Sequence, residues 1–154
     1  MQKENEMYAR ERSAVKHWVR EAIVMIQDAG RERAFAQISD PGGPFIEGGR
    51  YVFALSTGGE LLAHPFSKQL LGKNLAELRD SEGTDFIRKL LDKAKRKDGG
   101  FVEYKWPVPG SEEELHKETF FVRVDGVILC SGFYTSSARP LEAIYRCFQP
   151  YGPA

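Results

Sequence analysis

Four side chains have the types and spacing to hold a compact anion. Tyr104 and Trp106 lie two residues apart in the run 101–106. On an extended strand they share a face with Val102, while Phe101, Glu103 and Lys105 take the other. A phenol O–H and an indole N–H give that apolar wall polar tips. Lys117 opens the next β-rich run, across the loop 107–116, and His64 closes an earlier one. A cation, an imidazole, a phenol and an indole near the ends of neighbouring strands make a small concave site suited to a carboxylate. Buried Tyr and Trp are also common core residues, and spacing alone leaves the pocket and the plain-core readings both open.

Other chemistry has less support. The chain contains no GxGxxG, phosphate loop, HExxH or CxxC, and no cofactor is expected. His17, His64 and His116 lack metal-ligand spacing. His17, beside Trp18, reads as a surface residue. His116 follows Glu112, Glu113 and Glu114 in what reads as an acidic loop, and a metal site built from them is a minor alternative. Cys130, in V-I-L-C-S-G-F, reads as a small core residue with an unreactive thiol. A nucleophile there would need His64 as its base, and Ser131 carries the same bland reading. Two cysteines, Cys130 and Cys147, cannot build a disulfide framework and read as reduced thiols.

The elements that must position these residues follow from periodicity. Val15, Trp18, Val19, Ala22, Ile23 and Ile26 form one apolar face of a helix over about 6–29, ended by Gly30. That face must lie against the chain's own sheet or against a second copy, and the two are compatible. Residues 31–38 suit a short second helix, stopped by the D-P-G-G-P run at 40–44. Strands are expected over 51–56 and 61–64, joined by the turn Thr57-Gly58-Gly59-Glu60, with Pro65 ending the second. Residues 66–83 read as irregular. From about Thr84, Phe86, Ile87, Leu90, Leu91 and Ala94 mark a helix stopped by Gly99-Gly100. Lys93, Lys95, Arg96 and Lys97 complement the negative end of its dipole. Strands over 101–106, 117–125 and 127–134 follow, the last two joined by Asp125-Gly126. A short helix over about 140–148 completes the chain.

At 154 residues the protein is one domain. The order of elements is α+β, with a five-stranded antiparallel sheet and helices on its faces. Twenty-two basic residues balance twenty-two acidic ones, so the basic excess of a nucleic-acid binder is absent. No run reaches the eighteen or so apolar residues of a membrane helix, and the first twelve residues hold no apolar signal core. The chain as it stands reads as cytoplasmic, or as periplasmic if a leader or membrane helix has been removed.

An ordered series of motifs resembles the single-Cache sensor domain of bacterial chemoreceptors and histidine kinases. The series is Y-x-F at 51–53, A-H-P at 63–65, G-K-N-L at 72–75, D-x-x-G at 80–83, F-V-x-Y-x-W-P at 101–107, Lys117 and S-G-x-Y at 131–134. It runs from about Ala14 to Tyr134. The resemblance implies a PAS-like fold, with a long N-terminal helix and a helix crossing between strands two and three. It implies a pocket for a small organic acid such as acetate, propionate, pyruvate or lactate. Around that ligand it places His64, Tyr104, Trp106 and Lys117, with Tyr51 and Phe53 as weaker candidates and Tyr134 weaker still. The implied function is binding in signal transduction, not catalysis. Arg50 and Arg123 are the residues that would add a second charge. Homodimerisation through the first helix is an expectation, and the downstream partner is unspecified. The alternatives are a protein-interaction module without a ligand and, further off, an enzyme on a small acid.

Overall fold

A computed structural model describes residues 2–47, 49–108 and 112–135. The expected terminal helix over 140–148, and Cys147, lie outside these residues. Helix α1 spans Gln2–Ala29 and α2 spans Arg31–Ile38. The strands are β1 (Ile46–Glu47), β2 (Arg50–Ser56), β3 (Leu61–Ala63), β4 (Gly99–Pro107), β5 (Glu114–Val124) and β6 (Val127–Tyr134). Helix α3 (Phe86–Arg96) crosses between β3 and β4, as the motif series implied.

All pairings are antiparallel, in the order β1-β2-β6-β5-β4, with β3 on the other edge of β2. The sheet has one strand more than expected. The two residues of β1 pair with Tyr51 and Arg50 and are too few to show an alternation in sequence. Every residue of β6 is buried, and five of the seven in β2 are. Central strands covered on both faces lose the polar alternation of a half-exposed sheet.

Two cores result. On one face Val19, Ala22 and Trp18 of α1 meet Ile38, Val52, Ala54 and Leu129. On the other, Phe86, Ile87 and Leu90 of α3 meet Tyr51, Phe53, Tyr104 and Phe121. Helix α1 is also tied by polar contacts. The Tyr8 hydroxyl donates to the Thr135 carbonyl at 3.0 Å, and Arg12 grips Glu118 at 2.7 and 3.2 Å. His17 is exposed on α1, edge-on to Trp18.

Two expectations are corrected. Gly99 and Gly100 do not stop α3, which ends at Arg96 with Lys97 extended; they begin β4, opposite Val122 and Phe121. A Cβ at Gly100 would meet the Phe121 ring at 3.3 Å, a tight contact. His116 is not in a loop. It sits on the exposed face of β5, paired with Lys105 of β4.

The irregular segment between β3 and α3 is fixed by its own side chains. Asp80 accepts backbone N–H groups of Glu82 and Thr84 on Oδ1 and of Lys105 on Oδ2, at 2.8–3.0 Å. Burial alone would raise its carboxyl, but these donors and the Thr84 hydroxyl hold it below the ordinary value. Asp80 therefore pins the covering segment to the strand that carries Tyr104 and Trp106.

Candidate functional site

Lys117 is the anchor of the site. It lies on β5 opposite Tyr104 of β4 and Tyr134 of β6, and it is 1% exposed. Its stem crosses β6 above Gly132, where a Cβ would fall 2.7 Å from Lys117 Cε and 2.4 Å from Thr119 Oγ1. Only the missing side chain lets Nζ reach β2, where it donates to the Tyr51 hydroxyl at 2.9 Å. The ammonium also lies 4.1 Å from the Tyr51 ring centroid, 5.4 Å from that of Phe53 and 5.6 Å from that of Tyr134. Ring faces offset part of the cost of burying a cation. Among the described residues no carboxylate forms an ion pair with it. Burial therefore dominates and lowers its pKa to about 7.

His64 follows β3, before Pro65, and is 3% exposed. Its Nδ1 accepts the backbone N–H groups of Phe66 and Ser67, both at 3.0 Å. An acceptor Nδ1 carries no proton, so the neutral ring keeps its proton on Nε2 as a donor. Burial, and then the nearby Lys117 charge, hold the imidazole well below its ordinary pKa. The ring packs 5.0 Å from that of Tyr51.

Tyr104 and Trp106 share one face of β4, as their spacing predicts. Phe86 of α3 stacks on Tyr104 at 4.2 Å and meets Trp106 edge-on at 5.5 Å. The Tyr104 hydroxyl bonds Thr119 Oγ1 at 2.8 Å, so this phenol is already engaged within the protein. Burial raises the pKa of both Tyr51 and Tyr104 well above the ordinary range, and both remain neutral donors.

Tyr51, Phe53, His64, Tyr104, Trp106 and Lys117 thus line one cavity, closed by Leu70, Leu75, Phe86 and Ile87. Its volume is about 10 Å³, room for about one water. Tyr51, Leu70 and Trp106 also form the wall of an open cleft of about 420 Å³. The side chains with polar hydrogens around the inner slot are an ammonium, an imidazole N–H, an indole N–H and phenols. Among the described residues, none of its lining side chains is a carboxylate or an amide. A lining of donors around a buried cation complements a group of acceptors with negative charge.

The proposed second charges are elsewhere. Arg50 pairs with Glu11 at 2.8 Å and Glu47 at 3.2 Å, and Arg123 with Asp98 at 3.2 Å. Neither lines the slot. His116 lies 3.8 Å from Glu82, and no group of metal-ligating side chains occurs among the described residues. Cys130 is fully buried, and burial raises its thiol. Tyr51, a weaker candidate in the sequence, is the hydrogen-bond partner of Lys117 in the structure, and sequence reasoning did not single out Gly132, Thr119 or Phe86 as neighbours of the site. Gly132 lay within the S-G-x-Y motif; Thr119 and Phe86 gave no signal beyond strand and helix patterning.

Residues 11–139 match the family model of single Cache domain 2. The chain belongs to that family. This Cache domain is 28% identical, over 91 residues, to the methyl-accepting chemotaxis protein McpP of Pseudomonas putida. That match takes in 58% of the chain and 17% of the relative, so the chain spans a small part of the relative's length. Its fold matches a solved Cache chemosensory domain, reported as the structural basis for carboxylic acid recognition. The TM-score is 0.75 at 22% identity, covering 86% of this chain and 98% of that one. A periplasmic sensor domain of a chemotaxis protein matches with TM-score 0.71 at 24% identity, over 86% and 97%. A methyl-accepting chemotaxis protein from Vibrio parahaemolyticus gives 0.76 at 21%, over 90% and 97%. These likenesses establish the PAS-like α+β fold of the Cache type. No helix among the described residues is long and apolar enough to cross a membrane.

Proposed function

We propose that this Cache domain binds a small monocarboxylate in the slot around Lys117 and serves as the sensing part of a signalling protein. The observation that carries the proposal is a buried lysine with no carboxylate beside it among the described residues, ringed by hydrogen-bond donors. An isolated buried cation costs several kcal/mol, and a ligand carboxylate relieves that cost. Lys117 supplies charge, with His64, Trp106 and Tyr51 donating around it. A charge-assisted hydrogen bond contributes roughly 1.5–3 kcal/mol, and two of them with apolar burial support micromolar affinity. With a single cation and no acidic side chain in the slot, dicarboxylates and ammonium-bearing acids are disfavoured. The slot must open to admit a ligand larger than water, and movement of Leu70 and Trp106 toward the open cleft provides the room. A periplasmic location belongs to the same reading, supported by the periplasmic sensor domain among the structural neighbours. A homodimer through α1 belongs to it also.

Binding without turnover is the reading favoured by the site. The His64 Nδ1 lone pair is occupied by two backbone N–H groups, and the Cys130 thiol is held protonated by burial. An interaction module whose slot has become core draws its support from the 10 Å³ cavity. A thermal-shift screen against acetate, propionate, lactate, pyruvate and amino acids separates the two. An acid at a hundred times its Kd adds about 2.7 kcal/mol, a rise of several degrees in Tm. The monocarboxylate reading expects that rise with one of the monocarboxylates and its loss in Lys117→Met. No shift with any of them favours the interaction module.

A further inference from the structure

We infer that the site takes its acid together with one proton, so that the species recognised is a carboxylate plus H⁺ and not a carboxylate alone. The inference rests on the monocarboxylate reading and specifies its ligand further.

The geometry requires a source for the proton. Among the described residues, every element packed around Lys117 Nζ presents neutral groups. Strand β2 contributes Tyr51, and the residue after β3 contributes His64. Strand β4 contributes Tyr104 and Trp106, β6 contributes Cys130 and Tyr134, and β5 itself contributes Thr119. None is a carboxylate. Glu118, the nearest acid along β5, pairs with Arg12 instead. Asp80 and Glu114 line the open cleft but not the slot, and both accept backbone N–H groups there.

Without ligand, the slot therefore stabilises the amine more readily than the ammonium. Its rings and phenol oppose desolvation only in part, and the lysine pKa near 7 reflects that balance. A carboxylate brought to within hydrogen-bonding distance reverses it, because an adjacent opposite charge favours the charged form. Near and above neutral pH, binding then draws a proton from solvent onto Lys117 Nζ. The carboxylate keeps its electrons and the amine lone pair takes the proton, so no bond of the ligand breaks. His64, Tyr51, Tyr104 and Cys130 do not titrate here. Burial and the Lys117 charge hold His64 neutral, and burial holds Tyr51, Tyr104 and Cys130 protonated.

The consequence is a window of acidity. Affinity is greatest between the pKa of the free acid and that of the unliganded lysine. Above it, Kd rises by up to about tenfold for each pH unit. A sensor built this way reports acid and acidity jointly.

The test is calorimetric titration of the intact chain with sodium propionate and sodium acetate. Titrations run at pH 6.0, 7.5 and 8.5, each in two buffers of different ionisation enthalpy. The expected result is a Kd that rises about tenfold from pH 7.5 to 8.5. The observed heat at pH 8.5 should also differ between buffers by nearly one proton's ionisation enthalpy, and at pH 6.0 by little. Binding of equal strength at all three values, with heats independent of buffer, overturns proton uptake and leaves the carboxylate reading standing. Absence of binding by either acid at pH 6.0 removes both. Binding that tightens from pH 6.0 to 8.5 overturns the inference as well.

Discussion

At the residue scale, the proposed function depends on where one lysine is held. A buried lysine destabilises the unliganded fold, because the unfolded chain binds a proton that the native slot resists. Its pKa falls from 10.5 to about 7 on folding, so the native state binds fewer protons between those values. Stability contributed by this group is therefore lowest below pH 7 and grows as pH rises above it. Lys117→Met, nearly the same length and without charge, is expected to stabilise the empty domain by a few kcal/mol at pH 6. That gap should narrow by pH 9, as read from urea midpoints of both proteins. Gly132→Ala tests how the lysine is routed. The added methyl collides with Lys117 Cε, with Thr119 Oγ1 and, at 2.8 Å, with the Glu118 backbone carbonyl. It should cost about 1–3 kcal/mol of stability and weaken acid binding more than tenfold. Unchanged acid affinity in a folded Gly132→Ala protein would show that Lys117 does not need that path.

At the scale of elements, the site is a junction of β2, β6, β5 and β4 with a covering layer. Tyr104 and Trp106 were legible because a strand's two-residue period puts them on one face. His64 and Lys117 were legible as an imidazole and a cation at the ends of neighbouring runs, and the single-Cache resemblance placed the same two around the ligand. The stripe Phe86, Ile87, Leu90, Leu91 and Ala94 gave α3, and all five are buried. What stayed hidden was long-range register. Tyr51 faces Lys117 only because β6 lies between β2 and β5 with Gly132 opposite both Tyr51 and Thr119. No local pattern encodes that. The role of Gly99-Gly100 was misread for the same reason, since the Phe121 ring that crowds Gly100 is twenty-one residues on. Phe86 links the covering layer to the site through its stack on Tyr104. Phe86→Ala is expected to cost about 3–5 kcal/mol and to weaken acid binding by loosening both aromatic walls. Chemical denaturation and titration measure the two effects separately. Asp80→Asn leaves the covering segment less firmly held, because an amide presents one acceptor oxygen where the carboxylate presented two. Faster amide exchange over residues 80–84 is the expected sign, and exchange at wild-type rates would contradict that role.

At the scale of the whole molecule, the sheet separates two tasks. One face, under α3 and the 66–83 segment, holds the slot. The other carries α1, whose Val15, Val19 and Ala22 are fully buried. Among the described residues the strands lie between the slot and α1, and Glu118 would offer a proposed ligand a short path across them. Its neighbour Lys117 faces the slot, while Glu118 grips Arg12 of α1. The partly exposed remainder of α1, including Val24 at 47%, is the surface a second copy would use. Sedimentation at high concentration should show a dimer, and a monomer throughout would remove that proposal while leaving the slot untouched. The central claim is the occupancy of the slot, and a crystal structure of the domain grown with propionate near pH 6 tests it most directly. The account predicts a carboxylate oxygen about 2.7–2.9 Å from Lys117 Nζ, with Trp106 and Leu70 displaced toward the open cleft. Propionate bound elsewhere, or a slot still closed around Lys117 and Tyr51 at saturating acid, would contradict it.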